Sequence, residues 1–273
     1  MGQAKVKQRL TERLLAKHPI CCFCGGSTQA TSADHVPPRI IFWGKRRPQG
    51  LEMPACHACN QGTRKLDQVA GLFARITVVD KSDQDQQEFG EIAKSVSQCF
   101  LGWAKELIPS PGQRDEFQEA FGSAIGDAQP GNIGPLAQDA MYTIGAKLGF
   151  ALHYHHTGRI VPPGGLVETR FRTNAEIYLH ALPPELVQDL EPVAVLAQGE
   201  WTSDGHFGYR SASSPDGTLG LYVAHLGRGF ITVSSVVFDA TEMPTTTTGK
   251  ARRFHPGDLQ HADAVALARY QTN

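Results

Sequence analysis

The spacing of apolar residues changes character along the chain and divides it into three stretches. Phe89, Ile92, Ala93, Val96, Phe100, Trp103 and Leu107 recur at helical intervals until Ile108-Pro109-Ser110-Pro111-Gly112 breaks the pattern. A short helix is predicted near 114–124 and a loop over 127–134. Residues 135–156 form the most apolar helix (Leu136, Met141, Ile144, Leu148, Phe150, Leu152), stopped by Gly158. From about 166 the period falls to two. Strands are predicted over 166–172, 193–197, 206–210, 219–224 and 229–238, with turns at Ser214-Pro215-Asp216-Gly217 and Gly227-Arg228-Gly229. A helix at 175–190, a Thr-rich loop at 243–250 and an amphipathic helix at 258–270 complete this part. Ahead of residue 80 the pattern is less regular. A basic amphipathic helix opens the chain, a second runs from Leu66 to Gly71 or Val79, and Asp80–Asp85 reads as an acidic linker or cap. The expected architecture is α+β. A module at 1–75 precedes a domain of unassigned role at 80–273, helical over 86–156, strand-rich over 166–240 and closed by the helix at 258–270.

Composition adds a charge division to this picture. The 273 residues are 41% hydrophobic and 19% charged, ordinary for a globular protein. No apolar run approaches the roughly 18–20 residues that span a bilayer. The start of the chain has no signal-peptide core, and Val6 stands where a myristoylation signal needs Ser or Thr, so a cytoplasmic protein is expected. The formal net charge is −1, yet residues 1–65 hold 11 Lys/Arg against three Asp/Glu, leaving 15 basic and 24 acidic residues beyond. A basic head on an acidic body fits a module that binds a polyanion, although a solvated basic face would look the same.

Five of the six cysteines lie ahead of Asn60. Cys21-x-x-Cys24 and Cys56-x-x-Cys59 are two knuckles about 30 residues apart, the pattern of a four-cysteine structural zinc site. Gly25 and Gly26 permit the tight turn of the first knuckle. A disulfide framework would need a secreted protein. Cys22 in place of Cys21 would give a poorer C-x-C spacing, His57 falls between better ligands, and Cys99 fits an apolar helix face.

Between the knuckles lies Asp34-His35-Val36-Pro37-Pro38, and the second knuckle reads Pro54-Ala55-Cys56-His57-Ala58-Cys59-Asn60-Gln61-Gly62, with Lys65 following. In these segments the chain resembles the HNH, or ββα-metal, endonucleases. The likeness is to the zinc-bearing branch that includes the phage recombination endonuclease VII family, and to uncharacterised bacterial HNH proteins. The resemblance implies a zinc-stapled, treble-clef-like module in which two strands carry the Asp-His pair and a helix from the second knuckle carries the third residue. It implies Asp34 and Asn60 as ligands of a catalytic Mg²⁺ or Mn²⁺, and His35 as general base. The activity implied is hydrolysis of DNA phosphodiester bonds to 5′-phosphate and 3′-hydroxyl ends.

The residue types suit that chemistry on their own terms. Neutral imidazole is well poised to deprotonate water near pH 7, and a hard divalent cation takes carboxylate and amide oxygens. Asn60 lies near a helix start, where free N–H groups favour phosphate. Arg64 and Lys65, with the run Lys45-Arg46-Arg47, supply cations for the nucleic-acid backbone but read no bases, so little sequence preference is expected. Many HNH proteins carry an Asn that orients the catalytic His. None stands between His35 and Asn60, leaving Gln49 or a backbone carbonyl for that role. The alternative is a zinc module that binds nucleic acid without cutting. In the remainder, His153, His155 and His156 fit the dipole at a helix end better than a second metal, and Trp201, His206 and Tyr209 read as surface or structural residues.

Overall fold

Residues 3–76, 82–122, 131–179, 188–243 and 250–270 are described by the structure, a computed structural model. Helix α1 (Gln3–Lys17) leads into the first knuckle, followed by β1 (Ser32–His35), β2 (Glu52–Ala55), α2 (His57–Gln61) and α3 (Arg64–Ile76). Next come α4 (Asp83–Cys99), α5 (Pro111–Phe121) and α6 (Pro135–Thr157). The second half holds β3 (Leu166–Thr173), α7 (Asn174–Leu179), β4 (Ala197–Gln198), β5 (Trp201–Thr202), β6 (Phe207–Ser213), β7 (Leu219–Leu226), β8 (Phe230–Val237), β9 (Arg252–Phe254) and α8 (Ala262–Ala268). The α+β expectation holds. Gly-centred turns, with two-residue periodicity in β8, set the meander β6–β7–β8, which β3 and β9 extend into an antiparallel sheet of order β6-β7-β8-β3-β9.

Some expectations fail for local reasons. Residues 193–197 do not form a strand of their own: Ala194 makes one isolated bridge to Tyr209, and only Ala197–Gln198 pair, with Trp201–Thr202. Three residues are too few to show alternation, so β9 has no sequence signal. The closing helix is shorter than 258–270, a 3-10 turn at Asp258–Gln260 followed by α8. Gly71 does not end α3. It lies inside the helix, where an added Cβ would meet Ile40 Cγ2 at 2.8 Å, so the glycine lets the Arg39–Ile41 turn pack close. Parts of the expected segments 66–79, 127–134, 175–190 and 243–250 lie outside the described residues.

Helix α6 is the axis of assembly. Of its 23 residues 17 are buried, on every side of the helix. It lies on the sheet at close range: an added Cβ at Gly149 would meet Val167 Cγ1 at 2.6 Å, and Ser234 Oγ donates to Gly145 O at 2.8 Å. On another side α6 meets α3. Phe23, Val36, Leu66 and Val69, all from the N-terminal stretch, therefore share one core with Leu148, Phe207 and Phe230. The division expected near residue 75–80 is thus not a break in packing. The basic-to-acidic change reflected surface charge, while the apolar residues on both sides of it pack together.

Candidate functional site

The two knuckles are brought together by the β1–β2 hairpin. Its register pairs Ser32 with Ala55, Asp34 with Met53 and His35 with Glu52. The first knuckle docks on it through Cys22 N donating to Pro54 O (3.0 Å), and β2 delivers Cys56 to the start of α2. Gly25 and Gly26, with φ of 69° and 76°, make the left-handed turn expected of them. Cys21, Cys24, Cys56 and Cys59 are buried, with their sulfurs within 4.8 Å of one another. Sulfurs around a tetrahedral ion at about 2.3 Å stand about 3.8 Å apart, so the cluster has the dimensions for a metal ion such as zinc. Four thiols at this range cannot all ionise without a cation. A hydrogen bond from Cys59 draws the Cys21 thiol down to about 5, Cys59 itself is pushed up, and burial pushes Cys24 up to about 11. Cys22 stays outside the cluster, its thiol pushed up by burial, and His57 is exposed. Cys99 packs half-buried against the core.

Asp34 and His35 follow the alternation of a strand and face opposite ways. Asp34 turns inward, 6% exposed, where its Oδ2 lies 2.9 Å from Nζ of Lys147 on α6. The same ammonium meets Asp67 Oδ2 at 2.9 Å and donates to Thr63 Oγ1 at 3.1 Å. Burial pushes the Asp34 and Asp67 carboxyls above their ordinary range against the pull of Lys147. Burial also works against the Lys147 charge, but the two carboxylates hold its pKa above the usual lysine value.

His35 keeps a quarter of its side chain exposed, and its Nδ1 lies 3.4 Å from Oε1 of Glu52, its cross-strand neighbour. Burial disfavours charge on Glu52, yet His35, Arg47 and the Gly50 N–H together hold its carboxyl below the usual value. Glu52, not Gln49, is thus the partner of the histidine. The Gln49 N–H donates to Gln198 Oε1 instead. Asn60 donates from Nδ2 to Ser32 Oγ at 2.9 Å. Ser32 and Asp34 share a face of β1, so Asn60 stands on the Asp34 side, while His35 faces the other. His35 is nonetheless near enough for its charge to favour the Asp34 carboxylate.

The expected backbone contacts divide. Arg64 is exposed, Lys65 half-buried, and Arg46 exposed with its guanidinium 5.4 Å from the ring centre of Trp201. Arg47 needs correction: its side chain is 1% exposed and donates to Val36 O, Pro37 O, Pro48 O, Gly50 O and Glu52. A guanidinium with this many carbonyl partners braces the 36–52 loop and has no donor left for phosphate. The side chain of Lys45 lies outside the described residues. Some amides at the two helix starts already have side-chain partners. Cys56 Sγ accepts from Cys59 N on α2, and the Asp263 carboxylate accepts from Lys65 N (2.8 Å) and Leu66 N (2.9 Å) on α3. The α6 histidines form no metal group among the described residues: His153 is buried with Nδ1 3.1 Å from Tyr222 OH.

No protein-family model, curated protein or solved structure is found to match this chain. No helix among the described residues is long and apolar enough to cross a membrane. Glu52, Lys147 and Asp67 were not singled out by the sequence. Only Glu52 carried a usable signal, since the hairpin register puts it opposite His35.

Proposed function

We propose that the chain is a metal-dependent HNH endonuclease whose general base is His35. The observation that carries this reading is the His35–Glu52 pair at the loop end of the hairpin that the cysteine cluster organises. A carboxylate 3.4 Å from Nδ1 would orient the ring and leave Nε2 to take a proton from water. The order of two strands, a knuckle and a helix bearing Asn60 accords with the ββα-metal arrangement. Zinc on Cys21, Cys24, Cys56 and Cys59 would hold these pieces in place.

Asp34 and Asn60 offer the oxygen donors suited to Mg²⁺ or Mn²⁺. Such an ion, when bound, supplies positive charge for the departing 3′ oxygen. Arg46, Arg64 and Lys65 are the cations left to engage a DNA backbone once Arg47 is assigned to the loop.

A second reading is favoured by Lys147. Its ammonium already neutralises Asp34 from inside the core, an arrangement that suits a zinc-organised module that binds nucleic acid without cutting. Nicking of supercoiled plasmid with Mg²⁺ or Mn²⁺, comparing the wild-type protein with His35→Ala, separates the two. Relaxation by wild type and a loss of about 10²–10⁴-fold in His35→Ala supports the nuclease. Binding without cutting of plasmid, branched DNA or RNA supports the binding module.

A further inference from the structure

The hairpin of β4 and β5 contributes almost nothing to the core, yet it is fastened to the loop that serves the candidate site. Gln198 Oε1 accepts from the Gln49 N–H at 3.1 Å. Leu196, which leads into the hairpin, is buried so close to the loop that a Cβ at Gly50 would stand 3.2 Å from its Cδ2. The adjacent loop residues are the ones that hold the base. Gly50 N donates to Glu52 Oε2, Arg47 bonds Glu52 Oε1, and Glu52 meets His35. Trp201, paired with Gln198 across the hairpin, is therefore connected to the loop that also holds Glu52 beside His35.

Trp201 itself is not packed away. It is 52% exposed, in contrast to Trp103, which is buried, and Trp43, which is half-buried beneath the Arg75 guanidinium. Among the described residues its ring partner is the exposed Arg46, 5.4 Å from the ring centre. An indole with open surface beside an arginine offers two complementary contacts: a flat surface for a nucleobase and a cation for the adjoining phosphate. Bases in a duplex are stacked on one another and present only their edges, so such a surface takes a base only when it is unpaired.

We infer that Trp201 and Arg46 form a stacking platform for an unpaired nucleobase beside the His35 site, making single-stranded nucleic acid the substrate class. The inference rests on the nuclease reading for its purpose, but its own content is a binding preference. The basic character of the chain up to Lys65 supplies the charge complementarity. Stacking tolerates any base, so the platform selects strandedness and not sequence.

The test is binding without added divalent metal, so that cleavage is silent. Fluorescently labelled dT and U oligomers and a DNA duplex of equal length are titrated by anisotropy against wild type, Trp201→Ala, Trp201→Phe and Arg46→Ala. Zinc content and circular dichroism confirm that each variant is folded. Wild type is expected to prefer single strands. Trp201→Ala should lose tenfold or more on them with little change on duplex, and Trp201→Phe should retain most of the affinity. The dT and U arms report whether DNA or RNA is the better source of the base. Equal binding by wild type and Trp201→Ala, or failure to bind any of the probes, overturns the platform. Trp201-dependent binding by a protein that nicks nothing keeps the platform and removes the nuclease reading.

Discussion

Lys147 Nζ, on α6, lies 2.9 Å from Asp34 Oδ2 in the hairpin between the cysteine knuckles. The lysine is almost wholly enclosed, and its second ion pair, to Asp67, joins α3 to the same point. Removing the ammonium strands two carboxylates in the interior. Lys147→Met is therefore expected to cost about 3–5 kcal/mol, as breaking a buried pair does. The combination Lys147→Met, Asp34→Asn, Asp67→Asn should recover a large part of it. Urea denaturation midpoints check both. A single variant as stable as wild type would show that Asp34 does not depend on Lys147.

The cysteine cluster predicts a sharp division between neighbours. Cys56→Ser removes one of the four sulfurs that lie within 4.8 Å, and should release the metal and lower the melting temperature, because the ion ties the two knuckles together. Cys22→Ala should keep the metal, since Cys22 stands outside the cluster although it adjoins Cys21. Metal content per chain by mass spectrometry reads the difference. Loss of metal from the Cys22 variant would exchange the roles of the two cysteines.

The parts of the site legible in the sequence are those set by local geometry. The C-x-x-C spacing locates the four sulfurs because a knuckle is a property of four consecutive residues, and that spacing alone favours Cys21 over Cys22. Part of the meander is legible for the same reason: β8 alternates within itself, and the strands turn at Gly217 and Gly227. What could not be read was everything that depends on distant pairing. Lys147 sits in an apolar run and looks like a lone charge at a helix edge until α6 packs against α3. Arg47 belonged to a basic run that suggested phosphate, and only the closed loop reveals its carbonyl partners. Asp263, far along the chain from α3, takes the amides at the start of that helix. Trp201 reads as a surface or structural residue, and it is exposed. Its tie to Gln49 through Gln198 has no local signature.

If His35 is the general base proposed above, Glu52 would act through it, and its substitution separates positioning from binding. Glu52→Gln preserves size and an oxygen for the Gly50 N–H but removes the charge beside Nδ1. Under the nuclease reading it should lower kcat about 10–100-fold with little change in KM, the scale seen when an orienting partner of a histidine is lost. A separate effect on stability follows from its pKa. The folded-state value lies below the ordinary 4.5, so the stability Glu52 contributes is present above that pH and is lost as pH falls through the folded value. Glu52→Gln should flatten the acid end of the stability curve. A rise in KM with unchanged kcat would instead place Glu52 in substrate binding.

His153 predicts a second pH dependence, with a different window. The ring is fully buried against Tyr222 and Phe238, and burial lowers its pKa from 6.5 to about 4. Above pH 6.5 the ring is neutral whether the chain is folded or not, and pH has no effect through it. As pH falls below 6.5 the unfolded chain takes up the proton and the folded one does not, so stability declines until about pH 4, where the folded ring also protonates. The full loss is about 3 kcal/mol, at about 1.4 kcal/mol per pH unit. His153→Gln removes this titration while leaving an amide to meet the Tyr222 hydroxyl. The stability difference between wild type and variant, read from urea unfolding, should therefore shift against the wild type by about 2 kcal/mol between pH 7 and pH 5. A difference that does not change with pH would mean that His153 protonates as readily in the fold as in the open chain, and that the α6–β7 packing around it admits water.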